Sequence, residues 1–402
     1  MGATRGPTRH HGSVTSRFGD GLALHDDLLV AAEEAVAAAL APLGGVRPDL
    51  ACVFVTGGSA KQTELALAYA SDLIDAGTSI GCGADGVMAA GKGIEGESGV
   101  SVWVAVLPDV SVRGFHLEVL RTSESIAVLG MPVRADDDVV GVLLADPWSF
   151  PIDGFISHSD VALAGLPLVG GLASGATVAG GSRLLVDGRV VDRGAVGVVL
   201  GGELAVHTLV SQGCRPIGMP MTVTGSDGDT VLELAGRPAY QQAKDAISVL
   251  SPDEQLSAVR GLALGLAVDE YMDEHEQGDF LVRSLVSADP ASGALSVGEQ
   301  VAVGTTVQFV LRDAAAAHED LAAVLAAFRR TVGLDGLAGA LVFSCNSRGT
   351  TMFRSPDHDV TAVRGGLGVD NVAGFFAAGE IGPVGGRNHV HGFTATVLAF
   401  GS

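Results

Sequence analysis

Arg348 and Glu380 are the residues whose types and settings best suit small-molecule chemistry. Each stands where an apolar run gives way to a glycine-rich turn, in GALVFSCNSRG (residues 339–349) and NVAGFFAAGEIGPVGGRNHVHG (residues 371–392). A guanidinium fork suits a ligand carboxylate and a carboxylate suits an ammonium group, so one of each sign in a single cleft would hold an amino-acid zwitterion at both ends. The glycines allow close backbone approach and positive φ. Asn346, Gly379, Arg387 and Asn388 share these turns and join the candidate contacts. So does the Gly81, Cys82, Gly83 stretch of TSIGCGADGV (residues 78–87).

Cys345 and Cys82 also end apolar runs, and either would be the nucleophile if the protein were an enzyme, in which case a cysteine-dependent or metal-dependent hydrolase of a small amide or ring substrate is expected. A buried cysteine is more often an inert small hydrophobe, because a reactive thiolate needs a cationic neighbour or a helix N-terminus. His389 and His391 alternate along a strand and, with Glu380 or Asp357, could frame a three-ligand metal site; they serve equally well as hydrogen-bonding histidines, and no metal or other cofactor is expected. The adjacent His10 and His11 lack metal-site spacing. GKGIEGESG (residues 91–99) lacks the phosphate-loop arrangement, and no Gly-x-Ser-x-Gly elbow occurs.

The elements that must position these residues read as one pattern written three times. A buried strand, a helix, a second strand ending in a glycine loop and further strands recur from Ala51, from Gly141 and from Gly339. The first and second strands of each copy are far enough apart for a crossover helix between parallel neighbours. The expected fold is α/β, with mixed sheets, outer helices, internal β-α-β-loop-β repeats and two lobes. In such sheets ligands gather at the carboxyl ends of strands, which is where each copy keeps its unusual residues. Helices are expected over Leu24 to Leu40, from Pro252 to about Ala267, and from Ala314 to Arg330.

Asn346-Ser347-Arg348-Gly349 and Gly379-Glu380-Ile381-Gly382-Pro383 together resemble the C-terminal half of the FIST family, and TSIGCGADGV resembles the Gly-Cys loop of its N-terminal half. The resemblance spans nearly everything after residue 48. Residues 1–20 are polar and without periodicity and read as a flexible tail, and the resemblance implies a FIST N-terminal domain over 21–235 and a FIST C-terminal domain over 236–402. It also implies a sensor of small ligands, amino acids among them, acting in signal transduction.

Composition sets the remaining limits. The 402 residues carry 24 lysines and arginines against 46 aspartates and glutamates, a net charge of −22, with no basic cluster. Nucleic acid and anionic membrane surfaces both select cationic patches, so neither is an expected partner. A small molecule and a separate signalling protein are. Four dispersed cysteines and no secretory leader point to a reducing, cytoplasmic setting. The apolar segments are broken before about 18 residues, too short for a membrane span.

Overall fold

A computed structural model describes residues 15–268, 280–333 and 336–402; His10 and His11 lie outside the described residues. The first repeat contains β1 (Arg17–Leu24), α1 (Leu28–Leu40), β2 (Leu50–Thr56), α2 (Ala60–Ile74), β3 (Thr78–Ala84), the hairpin β4 (Gly86–Ala89) and β5 (Lys92–Glu95), and β6 (Gly99–Val106). The second contains β7 (Val110–Arg121), β8 (Ile126–Leu129), β9 (Asp138–Ala145), α3 (Ile152–Ala162), β10 (Leu168–Leu172), the hairpin β11 (Leu184–Val186) and β12 (Arg189–Val191), and β13 (Ala195–Gly202).

The third repeat opens with β14 (Val206–Gln212) and is then interrupted. The interruption holds β15 (Cys214–Asp227), β16 (Thr230–Leu234), β17 (Arg237–Pro238), α4 (Ala239–Ser248), α5 (Pro252–Gly261), β18 (Leu262–Ala267), β19 (Phe280–Asp289), β20 (Ala294–Val297) and β21 (Thr306–Arg312). It resumes with α6 (Ala314–Thr331), β22 (Leu337–Cys345), α7 (His358–Leu367), β23 (Asn371–Ala377), the hairpin β24 (Glu380–Val384) and β25 (Arg387–His391), and β26 (Thr394–Gly401).

Each repeat builds one mixed sheet and lends its hairpin to another. The sheet orders are β1-β6-β2-β3-β11-β12, β8-β7-β13-β9-β10-β24-β25 and β14-β26-β22-β23-β4-β5. In every one the two strands joined by the crossover helix, β2 with β3, β9 with β10 and β22 with β23, pair parallel, and the closing strand pairs antiparallel with the first of them. The hairpin of repeat one completes sheet three, that of repeat two completes sheet one, and that of repeat three completes sheet two. This cyclic exchange fixes a pseudo-threefold arrangement.

Alternation along the buried strands explains the layers. In LACVFVT of β2, Cys52 and Phe54 face a core shared by all three sheets, where Phe54 meets Phe375 of β23, whereas Ala51, Val53 and Val55 face α1 and α2. The outer faces of the other two sheets pack on α3 and on α6 with α7. The small-residue composition has a packing cause here. A Cβ at Gly21 would lie 2.1 Å from the Ala35 carbonyl oxygen of α1, so helix and strand approach backbone to backbone.

Three expectations change. The tail does not reach residue 20, because β1 begins at Arg17 and pairs along its length with β6. The first helix starts at Leu28, after Asp27 caps it by accepting from the Leu29 N–H. The helix expected from Pro252 to Ala267 stops at Gly261, and LALGLA continues as β18 between β19 and β21. Its alternation decides this: Leu264 and Leu266 join the core of the inserted sheet while Ala263 points the other way, a period that a helix cannot satisfy.

Candidate functional site

The registers allow the three strand ends to be compared position by position. Val53, Leu143 and Val342 sit opposite Gly81, Gly170 and Gly374, so Thr56, Asp146 and Cys345 occupy equivalent places three residues further on. A Cβ at Gly81, Gly170 or Gly374 would lie 2.1, 2.0 or 1.7 Å from the carbonyl oxygen of the residue opposite. Gly81 is therefore a packing glycine of the repeat, not a ligand contact. Cys82, next along β3, projects into the shared core fully buried, and desolvation pushes its thiol well up. Neither residue faces a cleft.

The three repeats do meet at their strand ends, on a serine. Ser174 Oγ accepts from the Asp85 N–H of repeat one at 2.8 Å and donates to the Phe376 carbonyl of repeat three. Around this knot the three strand ends differ in what fills them.

In repeat three the end is packed. Arg348 is fully buried, and its Nε and Nη2 donate to Asp359 Oδ2 and Oδ1 at 2.7 and 2.9 Å. Ser344 Oγ also donates to Asp359, at 2.5 Å, and His358 Nδ1 lies 2.8 Å from it. Although burial opposes ionisation of Asp359, the guanidinium and these hydrogen bonds hold its carboxyl well below the usual range. The fork expected to meet a ligand is thus engaged within the protein by a residue the sequence reading overlooked. The inserted sheet departs from the same spot: a Cβ at Gly213 would lie 2.9 Å from Arg348 Nη1.

Glu380 lies in the same cluster. Its Oε2 accepts from Thr394 Oγ1 at 2.7 Å and from the Thr394 N–H at 3.1 Å, while Oε1 has no hydrogen-bond partner among the described residues. By register it replaces Leu184 and Val87 of the other two sheets, a carboxyl where symmetry calls for an alkyl group. Burial raises it to about 8. Cys345 is its titratable neighbour, and burial followed by the Glu380 charge pushes that thiol up to about 12. A nucleophile needs the opposite shift. The Asn346 N–H donates to the Ala377 carbonyl at 2.8 Å, and the Gly379 carbonyl accepts from Leu172 N–H at 2.8 Å.

Arg387 and Asn388 are not part of this cluster. Asn388 is a buried structural amide, accepting from Leu168 N–H and donating to the Leu166 carbonyl and Ser159 Oγ. Arg387 is exposed and pairs with Asp160 at 3.2 Å. His391 lies 2.9 Å from the Gly382 carbonyl, and burial lowers it to about 4. Among the described residues no group of three or more His, Cys, Asp or Glu is placed to hold a metal.

Repeat two closes its end with Asp146, which accepts from Ser182 Oγ at 2.6 Å and from Ser149 Oγ and N–H at 2.6 and 3.0 Å. Repeat one leaves its end open. Thr56, Gly57 and Gly58 after β2, Gly83 to Asp85 after β3, Glu97 and Ser98 before β6, and the repeat-two segment from Gly175 to Arg183 line a cleft of about 990 Å³. Gly57 and Gly58 have φ of 77° and 73°, a conformation that turns the chain sharply into α2. The start of α2 supplies the positive end of a helix dipole, and Asp26, Asp85 and Glu97 supply negative charge on other walls. Of the contacts read from sequence, Gly83 alone lines this cleft. The GGS ahead of a capping box (Ser59 with Gln62) was the signal that could have found it.

The sequence profile of the FIST N domain matches residues 49–237 and that of the FIST C domain matches residues 239–383. The chain belongs to the FIST family. The uncharacterized protein Rv0628c of Mycobacterium tuberculosis (strain ATCC 25618 / H37Rv) is 43% identical over 385 residues, covering 96% of this chain and 99% of the relative. The uncharacterized protein Mb0898c of Mycobacterium bovis is 41% identical over 388 residues, covering 96% and 98%. FIST domains are associated with sensory signal transduction and small-ligand binding. The two FIST matches meet inside the inserted sheet, whereas β14 of the third sheet falls within the FIST N match. No helix among the described residues is long and apolar enough to cross a membrane.

Proposed function

We propose that this FIST protein is a cytoplasmic sensor that binds a small polar metabolite, an amino acid or a close analogue, in the cleft of the first repeat, and reports it to a separate signalling protein. The observation that carries this reading is the open cleft of about 990 Å³ at a strand end whose two counterparts are filled, by Asp146 and by Arg348. A ligand carboxylate suits the start of α2 beside Gly57 and Gly58, and an ammonium group suits Asp85, whose side chain is exposed. Because the Gly175 to Arg183 wall comes from repeat two, a ligand there touches two repeats at once and can bias how they sit.

A thermal-shift series of amino acids and small carboxylates tests the reading. A ligand at about 100 times its Kd adds roughly 2.7 kcal/mol and raises the midpoint. Ala60→Trp, which fills the cleft at the first residue of α2, and Asp85→Asn, which removes the ammonium partner, should each abolish the shift. Silence across the series, or a shift that survives Ala60→Trp, rejects the cleft as the sensor site. Crosslinking in cell extract with and without the identified ligand checks the partner, whose capture should depend on it.

A further inference from the structure

We infer that β12, the free edge of sheet one, is a docking strip to which an extended, acidic segment of a partner protein adds as an antiparallel strand. Each of the three repeat sheets ends on the outer strand of an exchanged hairpin, β5, β12 or β25. The equivalence of Gly81, Gly170 and Gly374 carries outwards through the registers. Leu185, Ile381 and Met88 lie opposite those glycines, and Val190, Val390 and Gly93 lie opposite these in turn. Val190, Val390 and Gly93 therefore hold one position in three edges.

Two of the three positions are capped from within the chain. The Gly93 N–H donates to Asp357 Oδ1 at 2.7 Å, with Pro356 lying over the strand, and the Val390 carbonyl accepts from Arg283 Nη1 of the inserted sheet at 3.0 Å. The third is bare. Asp187 and Gly188, with φ of 47° and 76°, make a two-residue turn flanked by Val186 and Arg189. The pair flanking such a turn exchanges both its backbone hydrogen bonds, so Val190, one step on, turns its N–H and carbonyl away from β11. No hydrogen bond from another described residue reaches them. What lies beside them is a groove of about 590 Å³, walled by β12, by His116, Glu118 and Val119 of β7, and by Glu64 and Arg183.

An edge that offers a donor and an acceptor along a groove is met by another strand, and one residue of an antiparallel strand satisfies both groups at once. The charges name its chemistry. Arg183 pairs with Glu64 at 3.3 Å and Arg193 with Asp192 at 2.9 Å, while Glu118 approaches His116 at 3.7 Å. Arg189 has no carboxylate partner among the described residues; its Nη2 donates to His116 Nδ1 at 3.0 Å. Arg189 and Val191 share a face of β12, so the incoming strand is complementary when it sets a carboxylate against the first and an apolar side chain against the second.

The test titrates the full chain with a dye-labelled, end-blocked Glu-Thr-Val-Thr-Glu peptide and reads fluorescence anisotropy. With its valine against Val191, a glutamate meets Arg189 and a threonine meets Val190. Saturable binding is expected, about tenfold tighter than for Lys-Thr-Val-Thr-Lys, although the net charge of −22 favours the lysine peptide at long range. N-methylation of both threonines, whose N–H groups face β12, should weaken binding about tenfold or more, whereas N-methylation of the valine, whose N–H faces away, should not. Arg189→Glu, an exposed change, should reverse the preference between the two peptides. Val190→Pro removes the outward N–H without breaking the β11 ladder and should weaken the glutamate peptide. Absence of saturable binding, equal binding of the lysine peptide, or indifference to the threonine N-methyl groups overturns the inference. So does a dimer of the protein alone that Val190→Pro dissociates in sedimentation, which would give the edge to a second copy. The strip supplies the partner surface that the sensor reading needs, but the titration uses no cleft ligand. A silent thermal-shift series therefore leaves the strip standing, and a silent peptide leaves the cleft standing.

Discussion

Arg348 and Asp359 meet as a fully buried two-point ion pair, with Nε to Oδ2 at 2.7 Å and Nη2 to Oδ1 at 2.9 Å. Removing one partner would strand the other charge without water, and such losses cost about 3–5 kcal/mol. Arg348→Ala and Asp359→Ala should each lower stability in denaturant unfolding by that amount. The double variant Arg348→Met, Asp359→Leu should recover at least half of it, because the pair's desolvation cost disappears together with its attraction. Equal losses in the single and double variants would show that the contribution is packing instead of charge.

The sequence announced Arg348 but not its engagement. An arginine at a strand end looks the same whether its fork points to solvent or to an aspartate on the next helix, and Asp359 lies eleven residues on, across a turn that periodicity does not resolve. The repeats were legible because each buried strand is a run of apolar residues between turn signals, and crossover length implied parallel pairing. The exchanged hairpins were not, since β4 and β5 carry no mark of which sheet they join. The open cleft escaped for a related reason: it is made chiefly of backbone, glycines and a helix start, while attention goes to charged side chains.

The equivalence of Gly81, Gly170 and Gly374 predicts that they are structural. Gly374→Ala would place a methyl carbon 1.7 Å from the Val342 carbonyl oxygen, so strands β22 and β23 must part. The expected loss is about 3 kcal/mol or more, at the upper end of overpacking costs. Gly154→Ala in α3, where nothing lies within 4 Å, should instead gain about 0.5–1 kcal/mol from helix propensity. Chemical unfolding of the two variants side by side checks the opposite signs.

All four cysteines are buried, and desolvation raises the thiols of Cys214 and Cys345 to about 12. At neutral pH essentially no thiolate is present, and none is accessible. A colorimetric thiol reagent should therefore label none of them in the native protein within minutes and all four after unfolding. Rapid native labelling at Cys345, mapped by mass spectrometry, would revive a cysteine-dependent hydrolase.

Glu380 ties stability to pH in the direction opposite to Asp359. Its carboxyl is raised by burial from 4.5 to about 8, so between those values the folded protein holds a proton that the unfolded chain has released. Stability from this group is complete below about pH 4.5, declines as pH rises towards about 8, and levels off above it. Asp359, lowered by its hydrogen bonds and by Arg348, gives stability that is complete above the ordinary aspartate range and lost only as strong acid protonates it. Glu380→Gln keeps the shape and removes the titration. Its unfolding free energy should be flatter than that of the parent between about pH 5 and 8, with the two curves diverging by a few kcal/mol across the window. The gap should close on the acid side, where both side chains are neutral. Parallel curves across that window would mean that Glu380 is ionised when folded, held by Thr394 and the nearby Arg348 strongly enough to overcome its burial.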